Sequence, residues 1–198
     1  MGCARSRSTG CPIRATFRID IYDNYRVHPH HEPAFRFCPV CGGSLDARLL
    51  KAGEPERLVC AQCGFVFYLD PKVAVGTIIR DHHGHIVLVR RAIEPGYGKW
   101  VFPGGYVDRG EEVQVAAHRE AREETGLLIR IDHLINVYSY PGRAPVIVVY
   151  AATLTGGCLM CDDESLEARF FAPDEIPWGD LAFRSTSEAL RECLGKPG

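Results

Sequence analysis

Glu120, Glu123 and Glu124 stand at i, i+3, i+4. On a helix that spacing places all three carboxylates on one arc about 100° wide. Val113, Ala116, Ala117 and Ala121 mark an apolar face that overlaps the same arc. Like charges held so close raise one another's pKa unless a cation shares them. Hard divalent cations take oxygen clusters of this kind, and magnesium is commonly held by a few carboxylates together with substrate phosphates. Most charge runs are solvated faces, but these carboxylates share their arc with apolar residues and follow a diglycine, Gly104-Gly105. The residues alone therefore point to a divalent-cation site that works together with substrate phosphates.

A second constellation is made of sulfur. Cys38-Pro39-Val40-Cys41 and Cys60-Ala61-Gln62-Cys63 are separated by eighteen residues, which is zinc-site spacing. Four thiolates close a tetrahedron and leave no open position, so the site is expected to be structural. The segment is too small to build its own core, so the metal must supply folding free energy. Gly42 and Gly64 follow the two pairs, where a positive φ is expected. Few bases accompany the cysteines (Arg48, Lys51, Arg57), which favours a structural or dimer-forming role over nucleic-acid binding. A third pair, Cys158 and Cys161, has no matching partner pair and is read as loop or core thiols.

These groups need elements to position them. A helix is expected over about Glu111 to Thr125, with Asp108 capping its start, Glu111 and Glu112 at its positive end, and Gly126 ending it. Ahead of it, Lys72 to Arg80 and His85 to Arg91 read as a hairpin, followed by a Gly/Pro loop from Pro95 to Gly105. Strands are expected near Leu128 to Tyr138, Val146 to Leu154 and Leu166 to Ala172. A last helix is expected from Ser185, where Ser185 and Glu188 have capping-box spacing. The chain divides into a disordered N-terminal arm (1–34), a zinc ribbon (35–70) and a catalytic domain (71–198). Gly2-Cys3-Ala4-Arg5-Ser6 in the arm fits an acylation signal, and Arg5, Arg7, Arg14 and Arg18 fit a transit peptide.

Gly105, Glu111 and Arg119-Glu120-Ala121-x-Glu123-Glu124-x-Gly126-Leu127 match the Nudix box at its fixed positions. The likeness extends over Gly98-Lys99-Trp100-Val101-Phe102-Pro103-Gly104-Gly105 and Glu164-Ser165-Leu166-Glu167-Ala168-Arg169-Phe170-Phe171. The chain resembles the Nudix hydrolases that carry an N-terminal zinc ribbon, a subgroup that includes NADH, FAD and ADP-ribose pyrophosphatases. The resemblance implies an α+β fold, a Nudix α/β/α sandwich with a mixed sheet. It implies that Glu120, Glu123 and Glu124 hold Mg2+ or Mn2+ with the Gly104 carbonyl, and that one of them deprotonates water. It further implies a salt bridge between Glu111 and Arg119 bracing the loop and helix, a downstream acid at Glu167 or, second, Glu164, and a homodimer. Trp100, Phe102, Tyr106 and Tyr138 are candidates to stack on a base, with Trp100 equally a candidate core anchor under the loop.

Members of the subgroup that cleave NADH carry Ser-Gln-Pro-Trp-Pro-Phe-Pro soon after the box, where this chain has Asn136-Val137-Tyr138-Ser139-Tyr140-Pro141-Gly142. Pro141 stands where ADP-ribose-cleaving relatives often have proline, and Phe171 to Trp178 resembles FAD-type members. The expected reaction is hydrolysis of a nucleoside diphosphate linked to X, with ADP-ribose or an FAD-like substrate first, giving AMP plus X-phosphate. The alternatives are an NADH or NAD-capped RNA diphosphatase and a non-catalytic nucleotide sensor. A capped-RNA enzyme would need a basic path, to which Arg80, Arg90, Arg91 and Lys99 are the candidates.

Composition narrows the classes further. The 198 residues are 46% hydrophobic and 24% charged with a net charge of −2, so no global basic field recruits nucleic acid or an anionic membrane. No apolar run is long enough to span a bilayer. Nine cysteines, four of them in two metal-site pairs, without a secretory signal, point to a reducing, cytoplasmic setting.

Overall fold

The computed structural model describes residues 35–195, so the readings of residues 1–34 as a disordered arm, an acylation signal or a transit peptide lie outside the described residues. The first described unit is a three-stranded antiparallel sheet in the order β1-β2-β3: β1 (Leu45–Arg48), β2 (Arg57–Cys60) and β3 (Val66–Phe67). Its core is Cys38, Leu45, Leu58 and Cys60, with Phe67 packed against them. Half of that core is cysteine, as expected of a unit that relies on metal ligation for stability.

The second unit is built on seven strands. β4 (Val73–Arg80) and β5 (Ile86–Arg91) form the expected hairpin around an Asp81 turn, in which the Asp81 carboxylate accepts the His83 and His85 N–H groups. The remaining strands are β6 (Trp100–Val101), β7 (Gly104–Tyr106), β8 (Leu127–Tyr138), β9 (Val146–Gly157) and β10 (Ser165–Phe171). The sheet order is β10-β5-β4-β9-β8, with β6 paired to β5 and β7 to β4. β4 and β9 run parallel, from Val73 opposite Val146 to Arg80 opposite Thr153, while the other pairs are antiparallel, so the sheet is mixed.

Helix α1 (Val113–Thr125) covers one face and α2 (Arg184–Cys193) the other. Because side chains alternate along a strand, Ile79 and Val87 pack with Ala121 of α1, whereas Ile78, Ile86 and Leu88 pack with Ala189 and Leu190 of α2. Burial on both faces explains why β4 and β5 read as nearly continuous apolar runs. The architecture is the expected α+β sandwich.

Local differences from the sequence reading have local causes. The Pro95–Gly105 loop contains β6 and the start of β7, strands too short to show periodicity. The helix begins at Val113, two residues late, and Asp108 does not cap it; the N-cap position is Glu112, with no side-chain cap. Asp108 instead donates its N–H to the Glu111 carboxylate at 3.0 Å and accepts the Glu111 N–H, closing a turn ahead of the helix. The second helix begins at Arg184, and Ser185 is buried in its first turn without a capping box. Glu188 turns away to the Tyr140 hydroxyl and Arg184, both at 2.6 Å.

Gly126 ends α1 with φ 70°, and its N–H donates to the Arg122 carbonyl. A Cβ there would lie 2.5 Å from the Cys158 carbonyl, whereas one on Gly142, with φ 74°, would meet nothing within 4 Å. Gly142→Ala is expected to cost about 1 kcal/mol of stability from backbone strain alone. Gly126→Ala is expected to cost about 2–4 kcal/mol, because overpacking adds to the same strain. Urea midpoints of the two variants check this, and equal costs would refute the packing role of Gly126.

Candidate active site and metal centres

The four cysteine sulfurs lie within 4.8 Å of one another. Cys38 Sγ is 3.7 Å from Cys63 Sγ, and Cys41 Sγ is 3.4 Å from Cys60 Sγ. Four sulfurs about 2.3 Å from a central zinc would stand roughly 3.8 Å apart, so the set fits the ion. The Val40 and Cys63 N–H groups point at Cys38 and Cys60 sulfurs, both at 3.4 Å. The Cys63 N–H, against the effect of burial, holds the Cys60 thiol down, while, against the Gly43 backbone bond, the neighbouring sulfurs push the Cys41 thiol up, so this pair of sulfurs shares one thiolate until a cation joins it. Gly42 and Gly64 have φ 74° and 73°, the backbone these turns require. The third pair, Cys158 and Cys161, is exposed and free, on the loop after β9.

The acidic centre is organised by Arg119. Its Nε and Nη2 donate to the two oxygens of Glu111 at 2.8 and 2.9 Å. Nη1 donates to Glu120 at 2.7 Å and to Glu123 at 3.0 Å, and Nη2 also reaches the Tyr106 carbonyl at 3.1 Å. All five guanidinium N–H groups are thereby used. Glu124 turns the other way and accepts the Gly104 N–H at 2.8 Å. Gly104 pairs with Gly76 across β7 and β4, so the helix carboxylates are fastened to the diglycine segment from both sides. A Cβ on Gly105 would lie 2.5 Å from a Glu120 oxygen.

These partners set the acidities. Side-chain bonds from Arg119, with the Asp108 N–H, hold Glu111 down at about 2. Burial pushes Glu120 up although Arg119 opposes it. Burial pushes Glu124 up to about 8 against the Gly104 N–H; the charges of Glu120 and Asp162 push it further, and Arg91 counteracts them. Buried carboxylates that resist ionisation beside other carboxylates suit a hard divalent cation, whose charge reverses that preference.

Beside the diglycine lies a cleft of about 820 Å³ bounded by Gly104, Gly105, the Tyr140–Pro145 turn and the start of α2. Of the four proposed stacking residues, Phe102 and Tyr106 line it. Trp100 and Tyr138 do not; both are buried, Trp100 edge-on to Phe171 with ring centroids 4.8 Å apart. Large aromatics fill cores first: these two and Phe102 belong to one core cluster, and Tyr106 alone of the four is a partly exposed cleft residue. Glu167 is exposed on β10 opposite Arg90, and among the described residues no contact links it to the α1 carboxylates.

Asp162 and Arg91, whose charges do reach Glu124, escaped the reading of this site. The signal for Asp162 was the acidic run Asp162-Asp163-Glu164 ahead of β10. The four bases considered for an RNA path have separate engagements: Arg80 bonds the Cys193 carbonyl, Arg90 the Gly98 carbonyl, Lys99 pairs with Asp180, and Arg91 lines the cleft. Among the described residues no helix is long and apolar enough to cross a membrane.

Comparison with known proteins places this geometry. The NUDIX domain family matches residues 70–191, and the Nudix N-terminal family matches residues 36–69. An ADP-ribose pyrophosphatase of Methanocaldococcus jannaschii is 40% identical over 120 residues, 59% of this chain and 69% of that protein. An NAD-capped RNA hydrolase NudC of Stutzerimonas stutzeri is 32% identical over 143 residues, 72% of this chain; the match spans 50% of that relative's length. The crystal structure of a NUDIX hydrolase from Nitrosomonas europaea superposes with a TM-score of 0.76 at 34% identity, covering 83% of this chain and 96% of the other. An arginine-gathered set of helix carboxylates behind a diglycine strand, with a four-cysteine ribbon ahead of it, is thus found on a chain that belongs to the Nudix hydrolase family and carries that family's N-terminal zinc ribbon.

Proposed function

We propose that this hydrolase cleaves the diphosphate of a nucleoside diphosphate linked to X, with ADP-ribose or an FAD-like compound first, releasing AMP and X-phosphate. The observation that carries the reading is the position of Glu120 and Glu124 against the diglycine that lines a nucleotide-sized cleft, with Glu123 held beside Glu120 by Arg119. The name of the archaeal relative supports ADP-ribose. The name of the NudC relative supports an NAD-capped RNA as the second reading. A homodimer in the cytoplasm belongs to the same proposal; it follows from the resemblance and from the free cysteines.

Glu120, Glu123, Glu124 and the Gly104 carbonyl would hold Mg2+ or Mn2+. The ion would neutralise the diphosphate oxygens and acidify a water. Water oxygen bonds to one phosphorus, the bridging P–O bond breaks, and the water proton passes to a carboxylate oxygen of the α1 set. Arg119 fixes Glu120 and Glu123, so they need no reorganisation as charge develops. Asp162, ahead of β10, joins Glu167 and Glu164 as a candidate downstream acid, since its charge acts on Glu124. Phe102 and Tyr106 wall the cleft on which the nucleoside lies.

Two outcomes are expected. With magnesium, wild type releases AMP from ADP-ribose or FAD, and Glu123→Gln loses at least about a hundredfold in kcat. Chromatography of products from ADP-ribose, FAD, NADH and 8-oxo-dGTP checks this; an unaffected Glu123→Gln would refute the metal role. The second outcome concerns pH. Glu124 ionises near 4.5 unfolded and near 8 folded, so between those values the folded state binds the extra proton. Without magnesium, and with zinc retained, stability therefore falls as pH rises from about 4.5 to about 8. Glu124→Gln should lessen this fall, leaving the part that the raised Glu120 contributes, and magnesium should reverse it, as measured by urea denaturation across pH; a fall undiminished in Glu124→Gln would contradict the assignment.

A further inference from the structure

The cleft carries more positive charge than its own acids account for. Its ionisable lining is Lys72, Arg91, Arg143 and Arg184 against one acid, Glu94. Glu94 is occupied by its own turn, accepting the Gly96 N–H at 2.8 Å. Arg184 is paired with Glu188 at 2.6 Å, and Arg91 gives its Nε to the Pro95 carbonyl at 2.8 Å. Lys72 and Arg143 differ: among the described residues neither has a carboxylate partner. The Lys72 ammonium stands 4.8 Å from the centroid of the Tyr106 ring.

These two cations share one end of the cleft. The Lys72 carbonyl accepts the Val146 N–H at 2.8 Å, and the turn that carries Arg143 runs straight into Val146. The diglycine marks the other end, where Gly104 pairs with Gly76. Lys72 precedes Gly76 by four residues, roughly 13 Å along a strand. A diphosphate seated at Gly104 therefore lies away from Lys72 and Arg143, and the nucleoside half of the substrate extends toward them over Tyr106. Aromatic faces accept bases without regard to sequence, which suits Tyr106 and Tyr140 at this end.

We propose that, among nucleoside diphosphate derivatives, the site holds most tightly those with a further phosphomonoester on the nucleoside half, gripped by Lys72 and Arg143, while ADP-ribose and FAD are cleaved as less tightly held parent compounds. This rests on the diphosphatase reading and names the substrate class within it. A phosphomonoester brings nearly two negative charges and three acceptor oxygens. Arginine matches it as a planar fork and lysine as a point charge. A free ribose hydroxyl offers the same two cations nothing to neutralise.

The test is calorimetric titration of the full-length, zinc-loaded protein, without magnesium, using AMP, adenosine 2′,5′-bisphosphate and adenosine 3′,5′-bisphosphate. Wild type is expected to bind one bisphosphate at least about tenfold tighter than AMP, and the favoured isomer gives the position of the extra phosphate. In Arg143→Ala and in Lys72→Met the ratio to AMP is expected to shrink to about twofold or less. Because the readout is a ratio within each variant, a general loss of fold cancels. Equal binding of all three ligands by wild type overturns the proposal, as does a preference that survives both substitutions. Turnover of ADP-ribose with magnesium reports separately on the parent reading. Turnover without bisphosphate preference sinks the subsite alone, and bisphosphate preference without turnover of ADP-ribose or of its ribose-phosphorylated form sinks the diphosphatase reading together with the substrate assignment, leaving only a phosphate-binding subsite.

Discussion

The site depends on one guanidinium. Arg119 joins four groups on three pieces of chain that would otherwise repel or drift: Glu111 in the turn before α1, Glu120 and Glu123 on α1, and the Tyr106 carbonyl on β7. Each contact fixes a different degree of freedom. The Glu111 fork sets the turn, the Tyr106 bond holds β7 against the helix, and the bonds to Glu120 and Glu123 aim two carboxylates. A lysine could supply the charge but not five directed donors. The geometry that presents carboxylates to a metal is therefore the same geometry that shapes the diglycine wall of the cleft.

Arg119 does not satisfy the whole set. Glu124 is left with a backbone N–H and with neighbouring acids, and burial works against its charge. The fold tolerates this because its stability comes from elsewhere: Ile78, Ile86 and Leu88 under α2, and Ile79 and Val87 under α1, bury both sheet faces. Local electrostatic strain at the site is what a divalent cation would relieve, which couples metal binding to the stability of the loop and helix. The ribbon works on a related principle. Its small cysteine-rich core leaves metal ligation to do what apolar burial does in the larger unit.

What could be read from the sequence was what local spacing dictates. The cysteine pairs, the arc of Glu120, Glu123 and Glu124, and the apolar runs of β4 and β5 each repeat with a period that the backbone imposes. What could not be read depends on partners distant in the chain. Asp108 does not cap the helix because Asp108 and Glu111 close a separate turn and the helix starts only at Val113, and Ser185 forms no capping box because Glu188 is drawn to Tyr140 and Arg184. β6 and β7 exist only through pairing with β5 and β4. Trp100 and Tyr138 looked like base-stacking residues, yet the core claims them. Asp162, Lys72 and Arg143 come to the site through loops whose path no periodicity records.

The most direct test of this account is a Mn2+ titration followed by electron paramagnetic resonance on wild type, Glu124→Gln and Arg119→Lys. The account predicts saturable binding in wild type and at least about tenfold weaker binding in both variants, one lacking a ligand and the other the fork that aims the ligands. Identical binding curves for all three proteins would contradict it.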